Sequence, residues 1–161
     1  MQKAHFSGFD YYSFTSFSDL TSDDQSLCNE AILGLPFAYA PYSHFHVCCS
    51  LRFNDGSILR GTNQENASYP NGSCAEQVVL KYAIAAHPHK IIDTIAITTQ
   101  PLTTASMGIA SPCGMCRQTI LEYELRQKYP IRIILFRPQG DGFILSNIKH
   151  LLPFHFSPEY L

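Results

Sequence analysis

The sequence has no apolar run that approaches the roughly 18 residues of a membrane-spanning helix. Its first 20 residues also lack the apolar stretch of a secretory signal peptide, because serine and aspartate interrupt the aromatic residues. A basic surplus is missing as well: 11 lysines and arginines face 13 aspartates and glutamates, a formal charge of −2. We therefore expect a cytoplasmic protein that binds neither nucleic acid nor a membrane.

The sequence also lacks internal repeats, low-complexity tracts and linkers that would divide its 161 residues into separate domains. Hydrophobic residues make up 45% and charged residues 15%, which is ordinary globular composition rather than that of a disordered chain. We predict a single domain over residues 1–161, in which residues 1–20 form an N-terminal arm.

Turn and capping signals predict the first elements after this arm. A helix is predicted from residue 21, with Ser22 and Gln25 as a capping box and Gly34 and Pro36 near its end. The run Asn54-Asp55-Gly56 lies between two β-like stretches and predicts a hairpin.

Strands and helices alternate along the rest of the chain. Residues 74–87 predict a helix whose apolar face carries Val78, Val79, Tyr82 and Ala86. A further helix is predicted over residues 113–129, and strands over 94–99, 131–136 and 141–146. This order favours one mixed sheet covered by helices.

Six cysteines need an explanation other than disulfides if the protein is in a reducing compartment. We interpret Cys28 as a buried small apolar residue of a helix. Cys48 and Cys49 receive the same interpretation, because neighbours on a strand face opposite sides. The other three are Cys74, Cys113 and Cys116.

The spacing of these three cysteines indicates a metal site. Cys113 and Cys116 begin a predicted helix in "SPCGMCRQ", about one turn apart; alone they could be a redox pair, half of a zinc site or a coincidence. Cys74 also precedes a predicted helix. Two helix N-termini can converge on one ion and favour thiolates, which leaves a fourth position open, as in catalytic Zn²⁺ sites.

Glu76 is a candidate proton carrier beside such a site. It is too close to Cys74 in sequence to be a comfortable fourth ligand, but it can move protons between water and substrate. The set of three cysteines, a non-ligand glutamate and P-C-x-x-C matches a signature already described for zinc deaminases. Glu76 could also be an ordinary surface residue. A structural zinc site could be completed by a histidine among His44, His46, His87 and His89.

Five stretches, in this order, resemble the small three-cysteine cytidine deaminases: "AYAPYSHFHV", "NQENASYP", "CAE", "SPCGMCRQ" and "LLPFHFSP". The resemblance runs from about Ala38 to the C-terminus. It implies a zinc-dependent hydrolase that deaminates cytidine and deoxycytidine to uridine and deoxyuridine with release of ammonia, in pyrimidine salvage. It also implies a three-layer α/β/α sandwich with a five-stranded mixed sheet, and a homotetramer with active sites between subunits.

The resemblance assigns roles to residues around the metal. The three cysteines at positions 74, 113 and 116 would bind Zn²⁺, and Glu76 would carry protons to the ring and the leaving amino group. Asn63 and Glu65 would hydrogen-bond the ribose hydroxyls, for which an amide and a carboxylate are suitable. Without the resemblance, Asn63 and Glu65 could equally be turn residues.

Four more residues would contact the substrate. By the resemblance, Phe45 packs on the pyrimidine ring, the Ala75 N–H binds the ring carbonyl, and the Ser111 carbonyl receives the departing ammonia. Phe156 would close the pocket of a neighbouring subunit. From the residues alone, Phe45 could be part of the core, and Phe156 could pack within its own chain.

The sequence departs from the family pattern at three places, the first of which is Pro36, where relatives usually continue a helix. Cys48, Cys49 and Ser50 stand where small residues are usual, and Gln77 stands where an arginine often follows "CAE". Two other functions therefore stay open: deamination of a blasticidin-type aminonucleoside, and a non-catalytic zinc-stabilised assembly or RNA-binding module. Retention of Asn63, Glu65 and Glu76 favours a nucleoside deaminase.

Overall fold

The computed structural model describes residues 1–6, 8–101 and 108–161. Ser7, inside the predicted N-terminal arm, lies outside the described residues. The strands are β1 (Gln2–Phe6), β2 (Phe9–Phe14), β3 (Phe45–Phe53), β4 (Ile58–Thr62), β5 (Ile92–Pro101), β6 (Arg132–Phe136) and β7 (Gly142–Leu145). The helices are α1 (Ser22–Gly34), α2 (Ala75–Ala86) and α3 (Gly114–Gln127).

The sheet has seven strands in the order β1-β2-β7-β6-β5-β3-β4, so the predicted number of five is wrong. Strands β3 to β7 form the mixed part, in which only the β5–β6 pair is parallel among the described ladders. The two extra strands come from the N-terminal arm. They form an antiparallel hairpin, and β2 pairs with β7, so the arm extends the sheet.

Helices cover both faces of the sheet, as a three-layer arrangement requires. On one face, Leu27, Cys28 and Ala31 of α1 pack in a buried cluster with Cys48 and other residues of the sheet. On the opposite face, α2 and α3 pack in a second cluster that contains Cys49. The predicted burial of all three of these cysteines is confirmed, and Cys48 and Cys49 do face opposite sides.

The capping and turn predictions are partly confirmed. Helix α1 ends at Gly34 as predicted, but its N-cap is Thr21, whose hydroxyl accepts the backbone N–H of Asp24, so the predicted Ser22 cap is wrong by one residue. The β3–β4 hairpin forms as predicted. Gly56 adopts a φ of 85°, a conformation that favours glycine, and its N–H bonds to the Phe53 carbonyl.

The predicted apolar face of α2 is only partly right. Val79 is buried as expected, but Tyr82 is 59% exposed and Ala86 is also exposed. The helix instead buries a stripe that includes Ala75 and Ala83, together with two polar residues of its first turn. Periodicity placed the face incorrectly because it counted Tyr82 as apolar and did not allow for buried polar residues.

An ion-pair cluster joins α1 to two strands. Asp24 is 2% exposed and accepts two hydrogen bonds of 2.8 Å from Arg132 of β6 and one of 3.2 Å from Arg52 of β3. Burial opposes ionisation of this carboxyl, but the hydrogen bonds and charge of Arg132 and Arg52 outweigh it, so the pKa of Asp24 is lowered. The first turn of α1 is thereby tied to the centre of the sheet.

None of the helices formed by the described residues is long and apolar enough to span a membrane.

Candidate active site

The first turns of α2 and α3 bring the three candidate cysteines together. Cys74 is the N-cap of α2 and Cys113 the N-cap of α3, and Cys116 lies in the first turn of α3. The loop before α2 is fixed by a pair of backbone hydrogen bonds of 2.9 Å between Gln64 and Ser73. The two helices also contact each other, which sets the distance between their N-termini.

The sulfur atoms of Cys74, Cys113 and Cys116 all lie within 4.8 Å of one another. The separation is 3.5 Å between Cys113 and Cys116 and 4.0 Å between Cys74 and Cys113. A hydrogen bond from Cys116 outweighs burial and lowers the pKa of Cys74 to about 6, while the same contact and burial raise the pKa of Cys116. The cluster therefore favours a thiolate near neutral pH.

No histidine belongs to this cluster in the part of the chain that the structure describes. His44, His46, His87 and His89 were the candidates to complete a structural zinc site. The three sulfurs could therefore hold a metal ion with one position left for another molecule, which is the arrangement of a catalytic rather than a structural site.

Glu76 lies in the first turn of α2, one residue inside the helix from Ala75, and is 4% exposed. Burial raises the pKa of its carboxyl, because the charged form loses solvation. A carboxyl whose pKa moves toward neutrality can both accept and donate a proton. Glu76 is thus not an ordinary surface glutamate.

A cavity of about 400 Å³ contains the three cysteines and Glu76. It is lined by all the other predicted site residues except Phe156, namely Phe45, Asn63, Glu65, Ala75 and Ser111. The cavity is also lined by residues outside the predicted set, namely Ser43, Val47, Ile97, Thr99 and Ala110. Val47 could have been found, since it lies two residues after Phe45 and so on the same side of β3.

The side chains of Asn63 and Glu65 are anchored to the segment before and at the start of β3. The Asn63 amide donates to the Phe45 carbonyl and accepts the Val47 N–H, both at 2.9 Å. Glu65 Oε2 accepts the N–H groups of Tyr42 at 2.9 Å and Ser43 at 3.2 Å.

These bonds have two consequences. Hydrogen bonds from Ser43 and Tyr42 outweigh desolvation and lower the pKa of Glu65, so it lines the cavity as a carboxylate. An amide has two N–H groups and two acceptor lone pairs, so Asn63 keeps one of each beyond its two backbone bonds. Both residues therefore shape the wall and retain hydrogen-bonding capacity.

Phe156 does not line the cavity of its own chain. Its ring is 59% exposed and stacks on Tyr160 with a centroid distance of 6.0 Å. Its backbone carbonyl accepts a hydrogen bond of 2.9 Å from the side chain of Gln118 on α3. Phe156 thus contacts its own chain, as the alternative expected, while most of the residue stays exposed.

Gln77, at the position where an arginine is often found, is 8% exposed. Its side-chain oxygen accepts a hydrogen bond of 2.9 Å from the Lys81 ammonium, one turn further along α2. Arg117, the alternative source of positive charge near the cysteines, directs its guanidinium to two carbonyls and a hydroxyl.

Comparisons with known proteins agree with this geometry. Residues 21–130 match the family model described as the cytidine and deoxycytidylate deaminase zinc-binding region. The chain is 36% identical over 139 residues to a cytidine deaminase of Halalkalibacterium halodurans, covering 85% of this chain and 96% of that protein. It is 31% identical to a probable cytidine deaminase of Dictyostelium discoideum, with 78% of each chain covered.

Solved structures give the same result. The crystal structure of a cytidine deaminase from Burkholderia pseudomallei superposes with a TM-score of 0.71 at 35% identity, covering 85% of this chain and 100% of that one. The cytidine deaminase from Mycobacterium tuberculosis superposes with a TM-score of 0.64 at 28% identity, covering 85% of this chain and 99% of that one.

Proposed function

Because this chain belongs to the cytidine deaminase family, we propose that it deaminates both cytidine and deoxycytidine in a zinc-dependent reaction of pyrimidine salvage. Water supplies the oxygen that replaces the exocyclic amino group, so a C–O bond forms, a C–N bond breaks, and uridine or deoxyuridine leaves with ammonia. The observation that carries this proposal is the meeting of three cysteine sulfurs and the buried carboxyl of Glu76 in one cavity.

The three cysteines suit Zn²⁺ in chemistry and in spacing. Thiolates are preferred zinc ligands, and Zn–S bonds of about 2.3 Å at tetrahedral angles separate two sulfurs by about 3.8 Å. The separations of 3.5 and 4.0 Å lie on either side of this value. Cys74, Cys113 and Cys116 are therefore the proposed ligands. When bound, Zn²⁺ would supply a Lewis acid that favours ionisation of water.

Glu76 is the proposed proton carrier. Its carboxyl lies in the same cavity as the cysteines and is shielded from bulk water, so the proton it accepts is kept for the substrate. The raised pKa keeps the protonated form accessible, and a carboxyl in this state can pass a proton to the ring nitrogen and then to the leaving amino group.

The other cavity residues would hold the nucleoside. We assign Asn63 and Glu65 to the ribose hydroxyls: Asn63 through its unengaged N–H and lone pair, and Glu65 through Oε1, since both of its backbone hydrogen bonds go to Oε2. Phe45 would pack on the pyrimidine. The Ala75 N–H lies at the start of α2, where backbone donors lack helical partners, and would bind the ring carbonyl.

Ser111 and Phe156 complete the proposed site. The Ser111 carbonyl, just before Cys113, would accept a hydrogen bond from the departing ammonia. Phe156 is exposed on its own chain, which leaves the ring available to close the cavity of another subunit in a homotetramer. The same proposal includes a cytoplasmic location, where all six cysteines, which are free thiols in this structure, stay reduced.

The test is an assay of the purified zinc-loaded protein with cytidine, deoxycytidine and blasticidin S, followed by ultraviolet absorbance. Loss of both nucleosides with ammonia release supports the proposal. Turnover of blasticidin S alone would show that the substrate is an aminonucleoside of the blasticidin type and not cytidine or deoxycytidine. No turnover of any of them by folded protein with one zinc per chain would favour a non-catalytic zinc-stabilised role.

Cys113→Ala tests the metal site directly. Two thiolates leave a more exposed and weaker site, so we expect loss of zinc and of activity. Cys28→Ala, which removes a buried cysteine outside the cluster, is the control and should keep zinc. Stoichiometric zinc in well-folded Cys113→Ala protein would contradict the assignment of this ligand.

A further inference from the structure

Arg117 lies one residue after Cys116, and its guanidinium joins three separate parts of the chain. It donates hydrogen bonds from Nε to the Pro112 carbonyl at 2.8 Å, from Nη1 to the Leu151 carbonyl at 2.8 Å, and from Nη2 to Ser111 Oγ at 3.1 Å. All three nitrogens of the guanidinium thus donate a hydrogen bond to an acceptor of the protein. This is a geometry that a planar group with rigid N–H directions can satisfy and a lysine ammonium cannot.

The acceptors of Arg117 are all uncharged. Within the described residues, no aspartate or glutamate forms an ion pair with it. The contacts therefore hold backbone in place and do not neutralise an acidic side chain.

The segment Ser111–Pro112 needs such support. It directly precedes the candidate ligand Cys113, and Ser111 and Cys113 both line the candidate active site. Neither Ser111 nor Pro112 forms a backbone-to-backbone hydrogen bond with another described residue outside regular elements. Among the described residues, the hydrogen bonds that hold this segment are the two from Arg117.

Packing holds the two residues of this segment unequally, because Pro112 is buried whereas Ser111 is exposed. Ser111, Arg117 and Leu151 also line a second cavity of about 490 Å³ on the other side, whose walls are mainly apolar and include Phe9 of β2. The segment thus lies between two cavities. A displacement of Ser111 or Pro112 would therefore move the Ser111 carbonyl and the adjacent Cys113 together.

We propose that Arg117 is a positioning residue for the deamination reaction: it holds the Ser111–Pro112 segment against Leu151, so that Cys113 and the Ser111 carbonyl keep their places in the active site. This inference rests on the proposed function and adds to it a residue that acts without touching the substrate. Groups that orient metal ligands in this way typically change metal affinity or activity by about 10- to 100-fold when removed.

The experiment compares Arg117→Met and Arg117→Lys with the wild-type protein. It measures kcat and KM for cytidine, the rate of zinc release to a colorimetric chelator, and the thermal unfolding midpoint. We expect kcat of Arg117→Met to fall by about 10- to 100-fold with KM little changed, and zinc release to be about tenfold faster. Arg117→Lys should not restore kcat, because one ammonium cannot span three acceptors.

Two controls separate positioning from general stability. Arg126→Met changes an exposed arginine in the last turn of the same helix and should match wild type in kcat and zinc release. Ser111→Ala removes one of the three acceptors and should shift kcat in the same direction by a smaller factor. This variant also tests the inference if Arg117→Met does not fold.

The outcomes are distinct. Unchanged kcat and zinc release in Arg117→Met, with or without a lower unfolding midpoint, would overturn the inference. Full kcat in Arg117→Lys would also overturn it, because a single charge would then suffice. A wild-type protein that turns over no nucleoside would refute the proposed function, while faster zinc release from Arg117→Met would still support positioning of Cys113.

Discussion

At the scale of single residues, Glu76 is a buried glutamate that lines the candidate active site, whereas Glu124, which is also buried, accepts the backbone N–H groups of Ile131 and Ile148. Glu76 is 4% exposed inside the cavity that holds the cysteine cluster, whereas Glu122 of α3 is exposed. A buried carboxylate without a cationic partner is costly, and positions of this kind are often functional. Glu76 is therefore the residue at which a minimal change should separate metal binding from turnover.

Glu76→Gln should keep zinc and lose most activity. The amide has almost the same shape but cannot carry the proton, and general acid–base groups contribute on the order of 10²- to 10⁴-fold. Metal analysis and the cytidine assay on the same sample measure the two effects, with Glu122→Gln as control. Retention of more than about a tenth of the activity would contradict the role.

Glu65→Ala should impair deamination of nucleosides much more than deamination of free cytosine, which has no sugar. The carboxylate is proposed to accept a ribose hydroxyl, so its loss should lower kcat/KM for cytidine by about 10- to 100-fold, the usual cost of 1–3 kcal/mol for a charged hydrogen bond. Glu65 Oε2 also binds the N–H groups of Tyr42 and Ser43. An equal loss on cytosine would show that this loop contact, and not ribose binding, is its function.

At the scale of elements, the cluster of Asp24, Arg52 and Arg132 fixes where α1 lies on the sheet. The first turn of the helix is bound to β6 and β3 by charged hydrogen bonds, two of which form a bidentate pair. The cluster is on the face opposite to α2 and α3 and does not line the candidate active site. It should therefore affect stability and leave the chemistry unchanged.

Asp24→Asn should lower the free energy of unfolding by about 3 kcal/mol, the lower end of the range for breaking a buried ion pair, because Arg132 is 32% exposed. The folded state lowers the pKa of Asp24, so the stability it contributes is present above the pKa of the unfolded chain, about 3.9, and is lost as the pH falls through the folded value. Urea unfolding should show the difference from wild type constant above about pH 5 and shrinking below about pH 4.

The control for this change is Asp23→Asn, which removes an exposed carboxylate from the same turn. It should cost no more than about 1 kcal/mol, the usual effect of a charge at a helix terminus. An Asp24→Asn protein as stable as Asp23→Asn at neutral pH would show that the cluster is dispensable.

Many of the helices and strands could be predicted from the sequence, and the predictions that were wrong failed for physical reasons. The β3–β4 hairpin was predictable because its Asn-Asp-Gly turn is a local signal. Helix α2 was predictable from the apolar spacing of its residues, although its N-cap Cys74 makes no side-chain cap. The number of strands was not, since β2 joins the sheet by pairing with β7, far away in sequence, and β1 joins it through β2. The buried side of α2 was misplaced because Glu76 and Gln77 are buried although they are polar.

The candidate site could also be predicted from the sequence only in part. That Cys113 and Cys116 share a face could be predicted from their three-residue spacing, and their grouping with Cys74 and Glu76 from the signature of zinc deaminases. The hydrogen bond from Arg117 to the Leu151 carbonyl could not be predicted, since only the fold brings these two positions together. The anchoring of Asn63 and Glu65 to the segment before and at the start of β3 was hidden for the same reason.

At the scale of the whole molecule, one chain leaves several aromatic side chains near its C-terminus exposed. Phe154 is 95% exposed, Phe156 59% and Tyr160 72%. Exposed aromatic clusters of this kind often mark interaction surfaces. In the proposed homotetramer, the segment that carries them would meet a neighbouring active site.

Phe156→Ala should therefore weaken nucleoside binding in the active site of a neighbouring subunit. It should leave the fold of the subunit that carries the substitution unchanged. Loss of one aromatic contact is worth about 0.5–1.5 kcal/mol beyond its buried area, so KM should rise by roughly 3- to 10-fold. Sizing and the cytidine assay at the same protein concentration measure this, and Phe154→Ala is a nearby control. A monomer with full activity per chain would contradict shared active sites.

The pairing of β2 with β7 sets a delay during synthesis of the chain. Tyr12 lies opposite Ile144, so a ribosome that has made the hairpin must add roughly 130 more residues before its partner strand emerges. At about 5–20 residues per second, this takes on the order of 7 to 26 seconds. During that interval the aromatic side chains of β2, Phe9, Tyr11, Tyr12 and Phe14, have no sheet to join, and the nascent chain presents them to chaperones.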